Sequence, residues 1–478
     1  MSLLETIKSC WIFKDLRKKI IFTIVILIFF RIGSNIPIPG INVEKDSFAS
    51  GTDSFFGMMS MLGGGNLRKF SIFSLSVSPY VLATIIVQLL SADIIPSWTK
   101  LSKSGERGKK QLDLIARFLT IFIAIAQGFA MVAAMQSKGF ITASGFFPFF
   151  NAVIILLFGS VFAIWLGDRI SEHGVGNGTS MIIFSGIVAN IPWNFFIIGK
   201  SSFTFDPNST DQIVKTFLGV LNILIILILL PTIIILTIYL TQSVRKIPVQ
   251  QLGSGMDKKK SDLENSYILL KINSSGVIPV IFASSLMSIP LTISQFFVSD
   301  QTANYWVQMF FSMSYVPALI LYFTLVVLFT FFYSSIVIKP TELAKNFQRH
   351  GSFIPGVSPG TETKFYILRT LSRLNFLGGL SLAFIASLPY IIFMVIGVPS
   401  QLSIGGTGMI IMVGVAIDVV SQIQGRIIQK KYATLSDKSL INVDDRKLNF
   451  SDFENDNNSL ENLNDPKIED EDKKSLLW

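Results

Sequence analysis

The sequence predicts an all-α polytopic membrane protein with ten transmembrane helices. Half of its 478 residues are hydrophobic and only 15% are charged, whereas a typical soluble protein carries about a quarter charged residues. Ten apolar runs meet or approach the roughly 17–25 residues that a helix needs to cross a bilayer. They lie at residues 20–38, 75–91, 115–135, 149–167, 179–198, 217–240, 277–297, 316–338, 377–398 and 409–423.

Lysine and arginine are distributed so that both termini are predicted to be cytoplasmic. The amino-terminal segment 1–19 and the loops after even-numbered spans hold 23 basic residues, against six in the loops after odd-numbered spans. Loops rich in lysine and arginine stay in the cytoplasm, and an even number of spans returns the chain to the same side. No small-residue cleavage site follows the first span, so we interpret it as a retained helix.

The second span, Leu75–Ser91, is the weakest of the ten. It contains a proline, a tyrosine, a threonine, a glutamine and several serines, and polar groups that face lipid cost free energy. The stretch before it, 55–73, is half-apolar and is interrupted by three consecutive glycines. A weak span beside an interrupted half-span indicates a water-accessible path, as in a pore.

The spacing of the spans predicts two halves, 20–198 and 217–424, joined by an external loop at 199–216. Five spans in each half would give the halves opposite topologies, as in inverted-repeat channels and transporters. This inference rests on the span count, since no residue-level repeat supports it. The cytoplasmic tail, 425–478, is expected to be disordered, because from Asp437 onward it holds twelve acidic and six basic residues.

Two cytoplasmic loops, 241–276 and 339–376, are basic and far longer than helix connections need to be. They are either tolerated insertions or a docking platform for a cytosolic partner with an acidic or phosphate-bearing surface. Arg31 and Arg117 lie near span ends, where long basic side chains can reach the membrane surface.

Few residues suit catalysis, so the sequence predicts a protein that is not an enzyme and needs no cofactor or metal. It has two histidines and one cysteine, and lacks the common nucleotide, hydrolase and metalloprotease motifs. Asp418 is the acidic residue deepest within a span, and a structural hydrogen bond is a better interpretation of it than ion coupling. Composition and spans alone fit a secondary transporter of a small solute as well as a channel.

Six long motifs carry a family resemblance. They are FRIGSNIPIPGI (30–41), SIFSLSVSPYVLATIIVQLL (71–90), LGDRISEHGVGNGTSMIIFSGIVANIP (166–192), INSSGVIPVIFASS (272–285), FIPGVSPG (353–360) and GGTGMIIMVGVAIDVVSQIQ (405–424). With them the chain resembles the SecY family, the large subunit of the bacterial protein-conducting channel, over about residues 10–432.

The resemblance implies an hourglass pore between two pseudo-symmetric halves, closed by a plug helix at about 58–73. The plug would include Gly63, Gly64, Gly65, Asn66, Leu67 and Arg68. The narrowest part would be a ring of Val77, Val81, Ile183, Ile281 and Ile411. Aliphatic side chains exclude ions by offering them no ligands, although the same five residues would also suit an ordinary core.

The resemblance also implies a lateral gate between spans two and seven, through which signal peptides reach membrane lipid. Thr84, Gln88 and Asn273 are candidate hydrogen-bonding residues of this gate; alternatively they satisfy only nearby backbone groups. The long loops would dock the ribosome and the SecA motor ATPase. The candidate contacts are Arg245, Lys246, Lys258, Lys259, Lys260, Lys345, Arg349, Ser358, Lys364 and Arg373.

The implied partners are the SecE and SecG subunits, with SecDF and YidC as further candidates, and unfolded precursor proteins as cargo. The implied location is the bacterial inner membrane, or an organellar membrane of bacterial descent. Ser358 departs from the family pattern, in which arginine is common at this place. Serine has neither the charge nor the donors of arginine, so motor coupling through this position is expected to be weaker unless neighbouring lysine or arginine residues compensate. The long acidic tail would compete with acidic partners for the basic loops or have no role.

Overall fold

The computed structural model describes residues 13–39, 70–92, 94–137, 145–202, 212–251, 266–297, 301–396 and 407–430. The chain forms two compact units, Arg17–Val420 and a smaller one that combines Met1–Leu16 with Ser421–Trp478. In the smaller unit, the Lys430 ammonium forms an ion pair with the Asp15 carboxylate and lies 6.0 Å from the centre of the Phe13 ring.

Thirteen helices make up most of the described chain. They are α1 (Lys14–Gly33), α2 (Ser78–Ser91), α3 (Pro96–Lys103), α4 (Glu106–Ser137), α5 (Phe146–His173), α6 (Gly178–Ser202), α7 (Gln212–Gln242), α8 (Ile278–Phe297), α9 (Gln301–Phe311), α10 (Val316–Val337), α11 (Pro340–Arg349), α12 (Thr361–Ile396) and α13 (Thr407–Lys430).

Each of the ten predicted apolar runs lies on one of these helices. Within the described residues, six helical stretches are long and apolar enough to cross a membrane: α4, α5, α7, α10 with α11, α12 and α13. The pair α2 and α3, bent by 98°, would make a seventh span. Helices α6 and α8 hold shorter apolar segments, and α1 combines its apolar run with basic residues. The polytopic helical fold is thus established, whereas the number ten stays a prediction.

Several helix ends differ from the predicted boundaries. Helix α1 ends at Gly33, and α12 begins at Thr361 rather than 377. The predicted external loop 199–216 is largely helical at its two ends, because α6 extends to Ser202 and α7 begins at Gln212. Hydropathy locates the lipid-facing part of a helix, but the backbone hydrogen bonds of a helix continue equally well through polar residues.

A small antiparallel sheet occupies the two long loops. Strand β1 (Val244–Gln251) lies between β2 (Ser266–Lys271) and β3 (Ser352–Phe353). Ile247 pairs with Ile268 and Gln250 pairs with Phe353, so the sheet joins loops that are far apart in sequence. The hydropathy pattern predicts only helices and loops here, so this sheet was not predicted from the sequence.

Two apolar clusters stabilise the larger unit. The main cluster fills the space between the spans and includes buried residues from α1, α2, α4–α8, α10, α12 and α13. A second cluster lies beneath the sheet, where residues of β1 and β2 pack against the first turns of α12. Its buried members are Ile247, Val249, Leu270, Ile354, Ile367, Leu371 and Leu374. The sheet and α12 therefore form one packed layer.

Candidate functional site

The five predicted ring residues all belong to the main apolar cluster or pack against it. Val77, at the amino-terminal end of α2, and Ile183, Ile281 and Ile411 on three other helices are buried. Val81, one turn along α2, is half-buried and packs against the same cluster. The structure thus places residues from four helices in one cluster, and their role as a ring stays a prediction.

The segment before α2 is held between the residues that follow α1 and helix α5. The Ile38 amide donates to the Phe70 carbonyl at 2.9 Å, and the Ile72 amide donates to the Ile36 carbonyl at 3.1 Å. On the other side, a Cβ atom added to Gly159 would lie 1.9 Å from the Ile72 carbonyl oxygen. Glycine at this place allows α5 to pack directly against the backbone of the segment.

This segment corrects the predicted end of the plug helix. Residues 70–73 form a bridge and turns rather than a helix, and Phe70 has a positive φ of 45°. The rest of the predicted plug, 58–69, lies outside the described residues. This range includes the candidate plug residues Gly63–Arg68. The held segment leads directly into α2, which begins at Ser78 with Pro79 in its first turn.

A polar network connects α2, α4 and α5. The Tyr80 hydroxyl donates to the Asp113 carboxylate at 2.8 Å. Arg117 donates to the same carboxylate at 2.9 Å and reaches both oxygens of Asp168 at 2.6 and 3.2 Å. Arg117 is therefore held in an ion-pair network near the end of its span.

This network was not predicted, although the sequence holds two signals of it. Asp113 and Arg117 are four residues apart, the spacing at which side chains on a helix can pair. Asp168 follows an apolar run within α5, where a carboxylate needs a cationic partner. No sequence signal connects Tyr80 with Asp113, because that contact depends on how the helices pack.

The candidate gate residues divide into two groups. Thr84 donates to the Val81 carbonyl at 2.8 Å, and Asn273 donates to the Gly276 carbonyl at 2.9 Å and accepts from Ser275. Both residues bond to nearby groups, and their role in a gate stays a prediction. In contrast, the Oε1 atom of Gln88 is buried without a hydrogen-bond partner among the described residues, and so is that of Gln127 on α4, which was not a candidate gate residue. Helix α2 also packs against α8, the helices of spans two and seven, and the gate between them stays a prediction.

Most candidate docking residues lie on the packed layer of sheet and helices. Arg245 and Lys246 on β1, Lys345 and Arg349 on α11, and Arg373 on α12 are exposed, and Lys364 is half-exposed. Ser358 is exposed in the loop between β3 and α12, where its carbonyl accepts a hydrogen bond of 2.8 Å from Thr363. Lys258, Lys259 and Lys260 lie outside the described residues.

Asp418 is exposed on α13. Among the described residues it makes no hydrogen bond, so the expected structural hydrogen bond is not observed there. Among all the residues that the structure describes, histidine, cysteine, aspartate and glutamate side chains form no group of three or more that could hold a metal ion.

Comparison with known proteins decides the family. The family model for SecY matches residues 71–420. The chain is 41% identical over 438 residues to the protein translocase subunit SecY of Mycoplasma capricolum, covering 88% of this chain and 89% of that protein. It is 38% identical to the Bacillus licheniformis protein of the same name over 432 residues, covering 90% of this chain and 98% of that protein. The chain belongs to the SecY family.

Solved structures of SecY-type channels share the fold. A protein-conducting channel superimposes with a TM-score of 0.58 at 18% identity, covering 85% of this chain and 92% of the other. A structure that addresses how the SecY plug domain stabilises the closed state gives 0.59, with the same identity and coverage. The canine channel Sec61, in complex with the ribosome, gives 0.55 at 17% identity, covering 85% of this chain and 92% of the other. The predicted channel fold of the SecY family is thus confirmed, and the transporter alternative has no support.

Proposed function

We propose that this protein is the central, pore-forming subunit of a protein translocase. It conducts unfolded secretory proteins across the membrane and releases hydrophobic helices laterally into the lipid. The observation that carries the proposal is membership of the SecY family over most of the chain, together with relatives named protein translocase subunits. The chain itself performs no bond chemistry, and a partner supplies the work.

The five aliphatic side chains of the cluster at α2, α6, α8 and α13 provide the seal. Val77, Val81, Ile183, Ile281 and Ile411 offer no hydrogen-bond donor or acceptor, so an ion that sheds its water there gains no ligand. A polypeptide is different, because its apolar side chains can replace the contacts that the ring residues make with one another. The ring therefore yields to a chain and closes when the chain has left.

The gate is proposed between α2 and α8. Gln88 brings a buried, unpaired oxygen to α2, and Gln127 brings another to the neighbouring α4. A buried polar atom without a partner raises the free energy of the closed state. The Gln88 oxygen would find a partner in water or in a signal peptide when α2 moves away from α8, so it favours opening.

The exposed basic residues of the packed layer are proposed to dock SecA and the ribosome. SecE and SecG would complete a heterotrimer, SecDF and YidC would join transiently, and both termini would lie in the cytoplasm of a bacterium. The positive charge of β1, α11 and α12 supports binding to acidic or phosphate-bearing surfaces.

A photo-crosslinker at Ile281 tests the channel. The full heterotrimer is reconstituted in vesicles, and a secretory precursor is stalled midway by a folded carboxyl-terminal domain. We expect crosslinks from Ile281 to mature precursor residues, and we expect them to disappear when the stalled chain is released. The matched control is Ile247, which is equally buried but belongs to the second cluster. A precursor that is inserted yet never crosslinks at Ile281 would remove the pore assignment.

A further inference from the structure

Strand β2 forms an edge of the cytoplasmic sheet in the described part of the chain. The order β2-β1-β3 gives it a neighbour on one side only. In an edge strand, every second residue directs its N–H and C=O groups away from the sheet. These groups are available to another extended chain.

This edge lacks the devices that usually prevent strand pairing. Its sequence, SYILLK, contains no proline or glycine, and its one charge is Lys271 at the end. Proteins normally protect exposed edges with prolines, bulges or charges in the strand. On one face of β2, the Leu270 side chain packs in the second cluster. On the opposite face, the side chains of Tyr267 and Leu269 are 48% and 59% exposed. The edge therefore offers both backbone groups and an apolar surface.

The charge around this edge restricts what can pair with it. Leu269 lies opposite Lys246, and Lys271 lies opposite Val244. With Arg245, the described residues of the hairpin hold three cations and no acidic residue. A second copy of the same hairpin would bring like charges together, which disfavours self-pairing. A nucleic acid would use the cations but would leave Leu269 without a role.

We infer that the outer edge of β2 binds an extended, partly acidic segment of a soluble protein partner, which adds to the sheet as a fourth strand. Backbone hydrogen bonds supply the affinity, Tyr267 and Leu269 contact alternate apolar side chains, and Lys246 and Lys271 pair with acidic ones. This inference rests on the proposed function, since it specifies how the docking surface of the channel holds a protein.

Two lysine substitutions separate strand addition from simple charge attraction. Leu269→Lys places a charge on the edge strand, and Val244→Lys places the same charge on the same face of the inner strand. Purified SecA is the probe, with the heterotrimer in nanodiscs. We expect Leu269→Lys to bind SecA about tenfold more weakly, from the lost apolar contact, and Val244→Lys to bind as tightly as wild type or more tightly. Leu269→Thr, which retains β propensity, should give a smaller loss.

Amide hydrogen exchange gives a second, direct readout. Strand addition should slow exchange in 266–271 when SecA binds, while an unchanged pattern in β1 without SecA shows that each variant is folded. Equal SecA affinity for Leu269→Lys and wild type, or unprotected β2 amides in the complex, would overturn the inference. An effect seen with ribosomes alone and without amide protection would also overturn it, in favour of RNA contacts. Crosslinking at Ile281 in wild-type vesicles reports independently on the channel, so failure of the strand inference leaves that result intact.

Discussion

The Tyr80 hydroxyl donates a 2.8 Å hydrogen bond to the Asp113 carboxylate and so joins α2 to α4. Because Arg117 holds the same carboxylate and also Asp168 on α5, three helices share one polar network. The hydrogen bond ties the proposed gate helix α2 to α4. A movement of α2 away from α8 is then expected to carry α4 with it.

Substituting Tyr80 by phenylalanine removes only the hydroxyl of this contact. We expect Tyr80→Phe to lower the free energy of unfolding by about 1 kcal/mol, the typical net value of one intramolecular hydrogen bond. Thermal unfolding of the purified heterotrimer measures it. Tyr239→Phe is the control, because Tyr239 is 74% exposed and its change should stay within about 0.5 kcal/mol. Equal unfolding midpoints for the two variants would contradict the proposed contact.

Removing Arg117 leaves two carboxylates near each other without their cation. We expect Arg117→Ala to cost about 1.5 kcal/mol of stability, a value reduced by the partial exposure of the three side chains. Adding Asp168→Asn should restore part of the loss, since it removes one uncompensated charge. The control is Arg169→Ala, whose pair with Glu172 is exposed and should contribute roughly 0.5 kcal/mol or less. The prediction is wrong if the two arginine variants are equally stable.

Gly159 tests whether the segment before α2 must lie directly against α5. The Ile72 carbonyl oxygen would be 1.9 Å from a new Cβ atom, and backbone cannot rotate aside as a side chain can. We expect Gly159→Ala to destabilise the protein by about 2 kcal/mol and to increase ion leak through vesicles, because the displaced segment leads into the seal. Gly128→Ala, whose Cβ meets nothing nearer than 3.6 Å, should cause neither effect.

Gln88 is expected to favour gate opening through its unpaired oxygen. Replacing it with leucine removes a buried atom that lacks a partner, so Gln88→Leu should stabilise the closed state by about 1 kcal/mol. Insertion of a signal peptide should become correspondingly slower, as measured by the rate of its crosslinking to α8. Thr84→Val is the control, because Thr84 bonds to its own helix. A Gln88→Leu channel that opens as fast as wild type would argue against a gating role.

Ser358 is expected to limit coupling to the motor. Ser358→Arg supplies the charge and donors that are common at this place in the family, and the hydrogen bond of Thr363 to the Ser358 carbonyl is compatible with the change. SecA-driven translocation into vesicles should therefore increase. Thr361→Arg adds the same charge three residues away and is expected to have no such effect. If neither variant changes the rate, neighbouring basic residues already compensate for the serine.

The sequence was sufficient to predict helices at all ten apolar runs, because apolar runs of spanning length leave a chain few alternatives in a bilayer. It was insufficient for the sheet, whose strands β1 and β3 are about a hundred residues apart and carry no hydropathy signal. The sequence was likewise insufficient to predict part of the candidate functional site. The candidate ring residues could be named from motifs, whereas the contact between Tyr80 and Asp113 and the unpaired oxygen of Gln127 depend on the packing of α2 against α4.

Helix α12 has 36 residues and is therefore about 54 Å long, although the hydrocarbon core of a bilayer is only about 30 Å thick. One end of this rod is fixed beneath the sheet through Ile367 and Leu371, and the other end packs among the spans. A motor or ribosome that pushes on the sheet therefore acts at the end of a lever. A load on the sheet would then reach the interior along the helix itself, because the same helix packs in the second cluster at one end and in the main cluster at the other.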